Sequence, residues 1–267
     1  MTVVINAPAK INLFLEVRNR RKDNYHNIVS VMQTVSLYDR ISIDAHPSKL
    51  SLTCRGADLP VDSRNLAMRA AVALKKKTGV SCGAAITLEK DIPLGAGLGG
   101  GSSDAAAVLK GLISLWNIRM SHRTLVALAA TLGADVPFFL AGGRARATGI
   151  GDRLTPLPVK RKQWYILINP GIPVSTPWVY GKLQFPLTKR QENTKITKLF
   201  NRLEEVVLPC YPAIRGIKDI LAAKGVSAMM SGSGASVFGL LSGQQEGKAL
   251  QTALKKHRWK TWVVHTV

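Results

Sequence analysis

The stretch Pro93-Leu-Gly-Ala-Gly-Leu-Gly-Gly-Gly-Ser-Ser-Asp104 contains five glycines and leads directly into an alanine-rich segment that ends at Leu115. Glycine lets the backbone turn its amide groups toward one point without a Cβ atom in the way. The pattern predicts a helix over 104–115, capped by Ser102 or Ser103. Because the amino terminus of a helix carries free N–H groups and the positive end of its dipole, we expect the loop to surround phosphate groups.

The loop differs from the two common nucleotide-binding loops. It lacks the Gly-Lys-Ser/Thr ending of the P-loop. Gly95, Gly97 and Gly100 match the spacing of the dinucleotide fingerprint, but no acidic residue follows where that fingerprint has one. A flexible glycine linker is the remaining alternative, and linkers do not normally run into a capped apolar helix.

The composition limits the class of protein. With 267 residues, the chain can form one large domain or two modest ones. Three cysteines far apart in sequence show no metal-ligand spacing, and no apolar stretch approaches the roughly 20 residues that span a bilayer, so we expect a cytoplasmic protein without a membrane partner. The net charge of +21 favours anionic partners. The basic residues are scattered, which favours solvated faces over a nucleic-acid surface.

The order of elements favours an α+β fold over a doubly wound parallel sheet, because strands come first and helices follow. Alternating apolar residues predict strands over 11–17 and 84–90. Further strands are expected over 29–37, 40–45, 50–54, 164–169, 226–230, 235–241 and 259–264. Helical signals cover 65–77, capped by Asp62 or Ser63, then 121–132, capped by Ser121, 212–224 and 247–257. Proline and charge in 155–162 predict a linker, and therefore domains over 1–155 and 160–267.

Two charged residues stand in apolar surroundings and are candidates for catalysis. Phosphoryl transfer needs a phosphate cradle, a cation and an acid group that orients or deprotonates the acceptor hydroxyl. Asp135, in Leu132-Gly-Ala-Asp-Val-Pro-Phe-Phe139, is the candidate acid, and an aspartate that only makes turn hydrogen bonds beside Pro137 is the alternative. Lys10 is the candidate cation, and an edge-strand lysine in solvent is the alternative. Asn12 lies on the same strand face as Lys10, because side chains alternate with a period of two.

Three separated segments resemble the three motifs of the GHMP kinases, which include galacto-, homoserine, mevalonate and phosphomevalonate kinases. They are Pro8-Ala-Lys-Ile-Asn-Leu13, Pro93–Ser103 and Ser231-Gly-Ser-Gly-Ala-Ser-Val-Phe238. Asp23-Asn-Tyr-His-Asn-Ile28 resembles the branch that phosphorylates the 2-hydroxyl of diphosphocytidyl methylerythritol in non-mevalonate isoprenoid synthesis. The resemblance implies a two-domain GHMP kinase architecture, with a first domain like ribosomal protein S5 domain 2 and a smaller α/β sandwich as the second.

The resemblance also implies roles for single residues. Lys10 and Asp135 correspond to the catalytic pair, Tyr25 and His26 to the cytosine-recognition pair, and Tyr180 to a second stacking ring, for which Trp178 and Phe185 are alternatives. The residues implied at the acceptor site are Asn12, Gly232, Ser233 and Gly234. Those implied at ATP are Asn65 and Leu66 beside adenine, and Pro93, Leu94, Gly95, Ala96, Gly97, Leu98, Gly99, Gly100, Gly101, Ser102 and Ser103 around the phosphates.

The implied chemistry requires ATP as phosphoryl donor and Mg²⁺, although no carboxylate stands out as a metal ligand. Its partners are therefore two small molecules, ATP and the diphosphocytidyl alcohol, with no nucleic acid. A GHMP kinase for another small alcohol, or a basic nucleic-acid-binding protein, is the alternative function.

Two residues depart from the family pattern. Asp104 stands where many relatives carry asparagine, and we expect it in the first helical turn, where an acid suits the helix dipole but disfavours phosphate. Asn24 stands where glycine is usual before Tyr25. Asparagine tolerates left-handed backbone geometry, so we expect the turn to be kept.

Overall fold

The computed structural model describes residues 1–159, 161–185 and 199–267. Its contacts group the chain into two compact units that are discontinuous in sequence. Unit 1 comprises Met1–Ala9, Leu37–Leu94 and Gly99–Gly142, and unit 2 comprises Lys10–Ser36, Gly95–Leu98 and Gly143–Val267. The first two strands, β1 (Thr2–Arg20) and β2 (His26–His46), contribute residues to both units. The contiguous domains over 1–155 and 160–267 stay a prediction.

Unit 1 contains the second half of β2 together with β3 (Leu50–Arg55) and β4 (Gly83–Glu89). β2 pairs with β4 in the antiparallel sense, and β4 pairs with β3 in the parallel sense. Ile41 and Ile43 on β2 are fully buried, as alternation toward one covered face requires.

Four helices in the described part of the chain belong to unit 1: α1 (Leu66–Thr78), α2 (Gly100–Leu115), α3 (His122–Leu132) and α4 (Val136–Ala141). α2 lies very close to β2, because a Cβ atom at Gly111 would stand 2.5 Å from Cδ1 of Ile43. Glycine leaves room for this close approach of α2, whose alanines from Ala105 to Ala107 are buried.

Two of the three predicted helix caps differ from the structure. α1 is capped by Asn65, whose side chain accepts a hydrogen bond from the Ala67 N–H at 2.9 Å, and not by Asp62 or Ser63. Asp62 instead pairs with Arg64. The cap of α3 is Ser121, as predicted, with its hydroxyl accepting from the Thr124 N–H.

The predicted start of α2 is also wrong. The helix begins at Gly100, four residues before Asp104, with Gly99 in left-handed geometry at the cap position and no side-chain hydrogen bond to the cap in the described structure. Ser102 and Ser103 therefore lie inside the first turn and do not cap it. The left-handed geometry of Gly99, open to glycine without strain, lets the chain enter the helix early.

Unit 2 contains a four-stranded antiparallel sheet of β7 (Trp164–Asn169), β9 (Ala228–Met230), β10 (Val237–Leu241) and β11 (Lys260–His265), in the order β11-β7-β10-β9. α7 (Pro212–Ala223) and α8 (Gln244–Ala253) pack on it. The core between them includes Ile166, Ile168, Ile214, Ile217, Leu221 and Val237. These elements match the predicted ones within a few residues.

The remaining elements of unit 2 are short and were not expected from the sequence. β5 (Arg144–Thr148) pairs with β2 and with β6 (Arg153–Leu157), and β8 (Phe200–Asn201) pairs with β1. Two short helices, α5 (Thr176–Gly181) and α6 (Glu204–Cys210), complete the unit. The linker predicted over 155–162 is wrong at its start, because residues 155–157 pair within β6, and residue 160 lies outside the described residues.

Two features are absent from the described residues. None of the helices there is long and apolar enough to cross a bilayer. No group of three or more His, Cys, Asp or Glu side chains there is arranged to hold a metal ion.

Candidate active site

The first turn of α2 in unit 1 has the properties of an anion site. The first N–H groups of a helix have no intrahelical partner, and no side chain in the described ranges caps α2. The Ser103 hydroxyl, also in this turn, is buried and has no hydrogen-bond partner in the described part of the chain. The turn therefore offers backbone N–H groups and the positive end of the helix dipole to a phosphate.

Asn65 and Leu66 lie beside this turn. A Cβ atom at Gly101 would stand 3.7 Å from Cδ1 of Leu66, so the start of α1 faces the start of α2. The Asn65 amide is engaged, because it caps α1 through Oδ1 and donates through Nδ2 to the Pro60 carbonyl oxygen at 2.9 Å. The two predicted adenine-bordering residues and the first turn of α2 are thus neighbours within unit 1.

Asp135 follows the turn at Gly133 and precedes α4. Its side chain makes no capping hydrogen bond to that helix within the described residues, so a helix-capping role does not account for the carboxylate. A Cβ atom at Gly133 would lie 4.0 Å from Oγ of Ser102. The turn that carries Asp135 therefore stands next to the first turn of α2.

Lys10 in unit 2 is buried, not an edge-strand lysine in solvent. It is 5% exposed, and its ammonium group donates a hydrogen bond to Oδ1 of Asn12 at 2.7 Å. The Asn12 amide donates in turn to the Ser30 hydroxyl at 2.8 Å. The prediction that Lys10 and Asn12 share one strand face is confirmed. A buried ammonium is costly unless its protons are satisfied, and this chain of hydrogen bonds fixes its direction.

The segment Gly95–Leu98, also in unit 2, is held on two sides. The Lys10 N–H donates to the Leu98 carbonyl oxygen at 2.9 Å. From the third motif, the Ser231 hydroxyl donates to the Gly97 carbonyl oxygen at 2.9 Å, and the Ser236 N–H donates to the Ala96 carbonyl oxygen at 3.2 Å. All three motif segments of the sequence thus meet at these four residues.

The third-motif loop is itself anchored within unit 2. The Gly232 carbonyl oxygen accepts from the Asn201 amide at 2.8 Å. The Ser233 hydroxyl lies 2.6 Å from the hydroxyl of Thr176, at the start of α5. Because α5 also carries Tyr180, this contact ties the predicted acceptor loop to the aromatic residues described next.

An aromatic cluster surrounds His26. Its ring centroid lies 5.1 Å from that of Tyr180 and 5.6 Å from that of Phe185, and the Phe185 ring is nearly parallel to it, at 19°. Trp178 packs instead edge-on against Tyr211. Burial, followed by the positive charge of Arg20, lowers the pKa of His26. The imidazole is therefore neutral near pH 7 and offers one donor and one acceptor.

Tyr25 is 60% exposed beside this cluster. The preceding Asn24 has a φ of 66°, so the left-handed turn expected from asparagine is present. Arg20 donates to the Asn24 side-chain oxygen at 2.8 Å and stabilises the turn. The cluster and Tyr25 together present flat rings and a neutral imidazole, which suit the recognition of a nucleic-acid base.

A buried charge cluster was missed by sequence reasoning. Lys90, just after β4, contacts the carboxylates of Asp39 and Asp104 in unit 1. Asp104 lies just beyond the first turn of α2 with its side chain buried, which corrects the expectation of an acid in that turn. Asp39 and Lys90 are 51 residues apart, and no local pattern signals their contact.

The pKa values in this cluster are displaced. Burial, together with the nearby Asp39 carboxylate, raises the pKa of Asp104 to about 7 against the opposing effect of Lys90. Burial would lower the pKa of Lys90, but the two carboxylates outweigh it and raise the value.

Comparison with known proteins identifies the class. Residues 65–143 match the GHMP kinases N terminal domain, and residues 187–260 match the GHMP kinases C terminal domain. The chain therefore belongs to the GHMP kinase family, and the predicted α+β, two-domain fold class is confirmed.

Two similar relatives, aligned over nearly their whole length, carry the same name. The chain is 43% identical to the 4-diphosphocytidyl-2-C-methyl-D-erythritol kinase of Syntrophus aciditrophicus, with 98% of each chain covered. It is 42% identical to the enzyme of that name from Syntrophotalea carbinolica, again with 98% of each covered. A crystal structure of 4-(cytidine 5'-diphospho)-2C-methyl-D-erythritol kinase matches with a TM-score of 0.88 and 36% identity over 99% of both chains.

Proposed function

We propose that this protein transfers a phosphoryl group from ATP to the 2-hydroxyl group of 4-diphosphocytidyl-2-C-methyl-D-erythritol, in non-mevalonate isoprenoid synthesis in the cytoplasm. The observation that carries the proposal is the His26 cluster with Tyr180 and Phe185 beside the exposed Tyr25. A kinase for a non-nucleotide alcohol has no use for such a base-recognition surface. The full-length relatives supply independent support.

ATP is the phosphoryl donor, and its phosphates are bound by the glycine-rich loop from Gly95 to Ser103. The uncapped first turn of α2 supports this role, as does the position of Leu66 beside Gly101. Mg²⁺ enters as part of the nucleotide substrate, since it typically keeps several waters and binds substrate phosphates with one or two protein oxygens. This fits a chain whose described residues hold no acidic metal cage.

Lys10 and Asp135 carry the chemistry. A bond forms between the acceptor oxygen and the γ-phosphorus as the bond from that phosphorus to the bridging oxygen of ADP breaks. The hydroxyl proton is accepted or directed by Asp135. The Lys10 ammonium stabilises the negative charge on the transferring group, and its hydrogen bond to Asn12 holds it in one direction.

The acceptor is recognised through its base. Tyr25 stacks on the cytosine, the neutral His26 hydrogen-bonds its polar edge, and Tyr180 and Phe185 support the His26 ring. Gly232, Ser233 and Gly234, anchored by Asn201 and Thr176, line the remainder of the acceptor site.

The decisive experiment measures ADP release with ATP and a panel of alcohols. The panel contains the diphosphocytidyl alcohol, its uridine analogue, mevalonate and homoserine. We expect rapid turnover only with the cytidine compound. Preferred use of mevalonate or homoserine would assign the protein to another branch of the family. Salt-sensitive RNA retention without ADP release would instead favour a nucleic-acid-binding protein.

A further inference from the structure

The buried Lys90 cluster lies against the start of α2 and plays no part in the proposed phosphoryl transfer. The Lys90 ammonium donates to Oδ2 of Asp104 at 2.7 Å and also contacts Oδ2 of Asp39. All three side chains are at most 3% exposed. Charged groups are almost never this buried unless they are paired, so the three depend on one another.

The cluster holds both ends of the segment that leads into α2. The second oxygen of Asp39 accepts from the N–H groups of Asp91 at 2.7 Å and Ile92 at 2.9 Å, which fixes the turn before Pro93. A Cβ atom at Gly100 would stand 3.2 Å from Nζ of Lys90. The ammonium therefore lies directly against the first residue of α2, and Asp104 ties it to that helix.

We propose that Lys90, held by Asp39 and Asp104, is a positioning residue that sets the first turn of α2 for the ATP phosphates, and that Asp104 takes up a proton when they bind. This inference rests on the proposed role of that turn in ATP binding. The unpaired second oxygen of Asp104, buried and without a hydrogen-bond partner among the described residues, is the atom that receives the proton.

The charge balance gives the direction of the effect. With Asp104 ionised, the cluster carries one net negative charge behind a site for a polyanion, and with Asp104 neutral its net charge is zero. The phosphates therefore bind better to the neutral form, and by linkage they favour the proton. The pKa of Asp104, about 7, makes both forms available near neutral pH.

Among the described residues, the charges that shift the pKa of Asp104 are those of Lys90, just after β4, and Asp39, on β2. On β3, burial raises the pKa of the Cys54 thiol, the Asp104 charge raises it further and Lys90 opposes this.

The helices packed on α2 contribute little charge at this point. The charged residues Arg69 of α1 and His122 and Arg123 of α3 are exposed, Lys75, Lys76 and Lys77 lie in the last turn of α1, and α4 carries no titratable residue.

The test compares the native protein with Asp104→Asn, which keeps an acceptor for Lys90 and removes the titration. We expect the native Kd and KM for ATP to rise about 3- to 10-fold from about pH 6 to about pH 8, relative to those of the variant. The ionisation of ATP itself is common to both proteins and cancels in this ratio. The kcat at saturating substrates stays within about twofold, because the chemical step is not altered.

Lys90→Met completes the test, and a second buried pair supplies the control. Lys90→Met leaves two uncompensated carboxylates, so we expect a lower Tm and, where the variant folds, an ATP KM raised at least about tenfold. Glu16→Gln breaks the pair of Glu16 with Arg202, which is about equally buried but lies in unit 2. It should lower the Tm and keep the native pH dependence of the ATP KM.

Each outcome has one meaning. The inference would be overturned if Asp104→Asn kept the native pH dependence of the ATP KM. It would also be overturned if Glu16→Gln changed that pH dependence as much as Asp104→Asn does. In either case the cluster is only structural. Calorimetry of ATP binding to the native protein separates the two proposals. No ATP binding at all would overturn the proposed function. ATP binding with a ratio of native Kd to Asp104→Asn Kd that does not change with pH would overturn only the role of Lys90 and Asp104.

Discussion

The Ser231 hydroxyl donates a hydrogen bond to the Gly97 carbonyl oxygen at 2.9 Å, across 134 residues of sequence. It joins the third motif to the middle of the glycine-rich loop. A Cβ atom at Gly97 would lie 2.0 Å from the Ser231 carbonyl oxygen, and the φ of Gly97 is 74°. Two independent requirements, a close backbone approach and left-handed geometry, thus explain glycine at this position.

This contact predicts that Gly97→Ala is much more harmful than Gly95→Ala. Both glycines have positive φ, but a Cβ atom at Gly95 would meet no atom within 4 Å among the described residues. Gly95→Ala should cost about 1–2 kcal/mol of unfolding free energy from backbone strain alone, and Gly97→Ala clearly more. Urea unfolding of the two variants measures the difference. Equal losses would contradict the contact as the reason for Gly97.

Asp135→Asn should keep the fold and ATP binding but lower kcat by about 10²–10⁴-fold, the usual contribution of a general acid or base. Lys10→Ala should also lower kcat sharply, because the developing charge loses its cation. If the two residues act as a unit, the double variant is little worse than the worse single one. Steady-state kinetics of the four proteins decides this, and additive losses would count against the pairing.

Base recognition predicts a strong preference for cytidine over uridine in the acceptor. The uridine N3–H and O4 reverse the acceptor and donor of cytosine, and a site built for one pattern leaves polar groups unpaired with the other. Tyr25→Ala should weaken acceptor binding by about 1–3 kcal/mol, the usual worth of a base stack, with ATP binding nearly unchanged.

The aromatic residues supply a test variant and a control variant for base recognition. Phe185→Ala removes a ring that stacks on His26, and should raise the acceptor KM. Trp178→Phe changes a ring that packs on Tyr211, and should leave that KM unchanged. Equal use of cytidine and uridine acceptors by the native protein would contradict cytosine recognition. It would support only a function within the broader kinase family.

The net charge of +21 should speed the capture of ATP and of the diphosphocytidyl alcohol, both polyanions. We expect kcat/KM to fall as salt rises while kcat changes little, since steering acts on the encounter and is screened by ions. Initial rates over a salt series check this. A flat kcat/KM would mean that the charge serves another purpose.

Local signals predicted much of the fold. The apolar run that begins at Trp164 indicated β7, and Ser121 marked the start of α3. The start of α2 was missed because the left-handed Gly99 replaces the side-chain cap that sequence patterns reveal. β8 was missed because two residues are too few to show a period, and their pairing to β1 is purely tertiary.

The site was predictable to the extent that its residues lie in motifs. The Lys10–Asn12 contact follows from strand alternation over two residues. The buried Lys90 does not, because its partners come from another strand and from a helix, and a lysine after a strand is usually solvated. Asp104 was expected to act on the helix dipole in the first turn of α2. Its burial against Lys90 could not be predicted, because the direction of its side chain depends on tertiary packing.

The exposure of Tyr25 has a calorimetric consequence. Tyr25 is 60% exposed in the protein alone, so stacking on a base takes apolar surface out of water only as the acceptor arrives. Removal of hydrated apolar surface lowers the heat capacity on binding. Acceptor binding therefore becomes steadily more exothermic on warming.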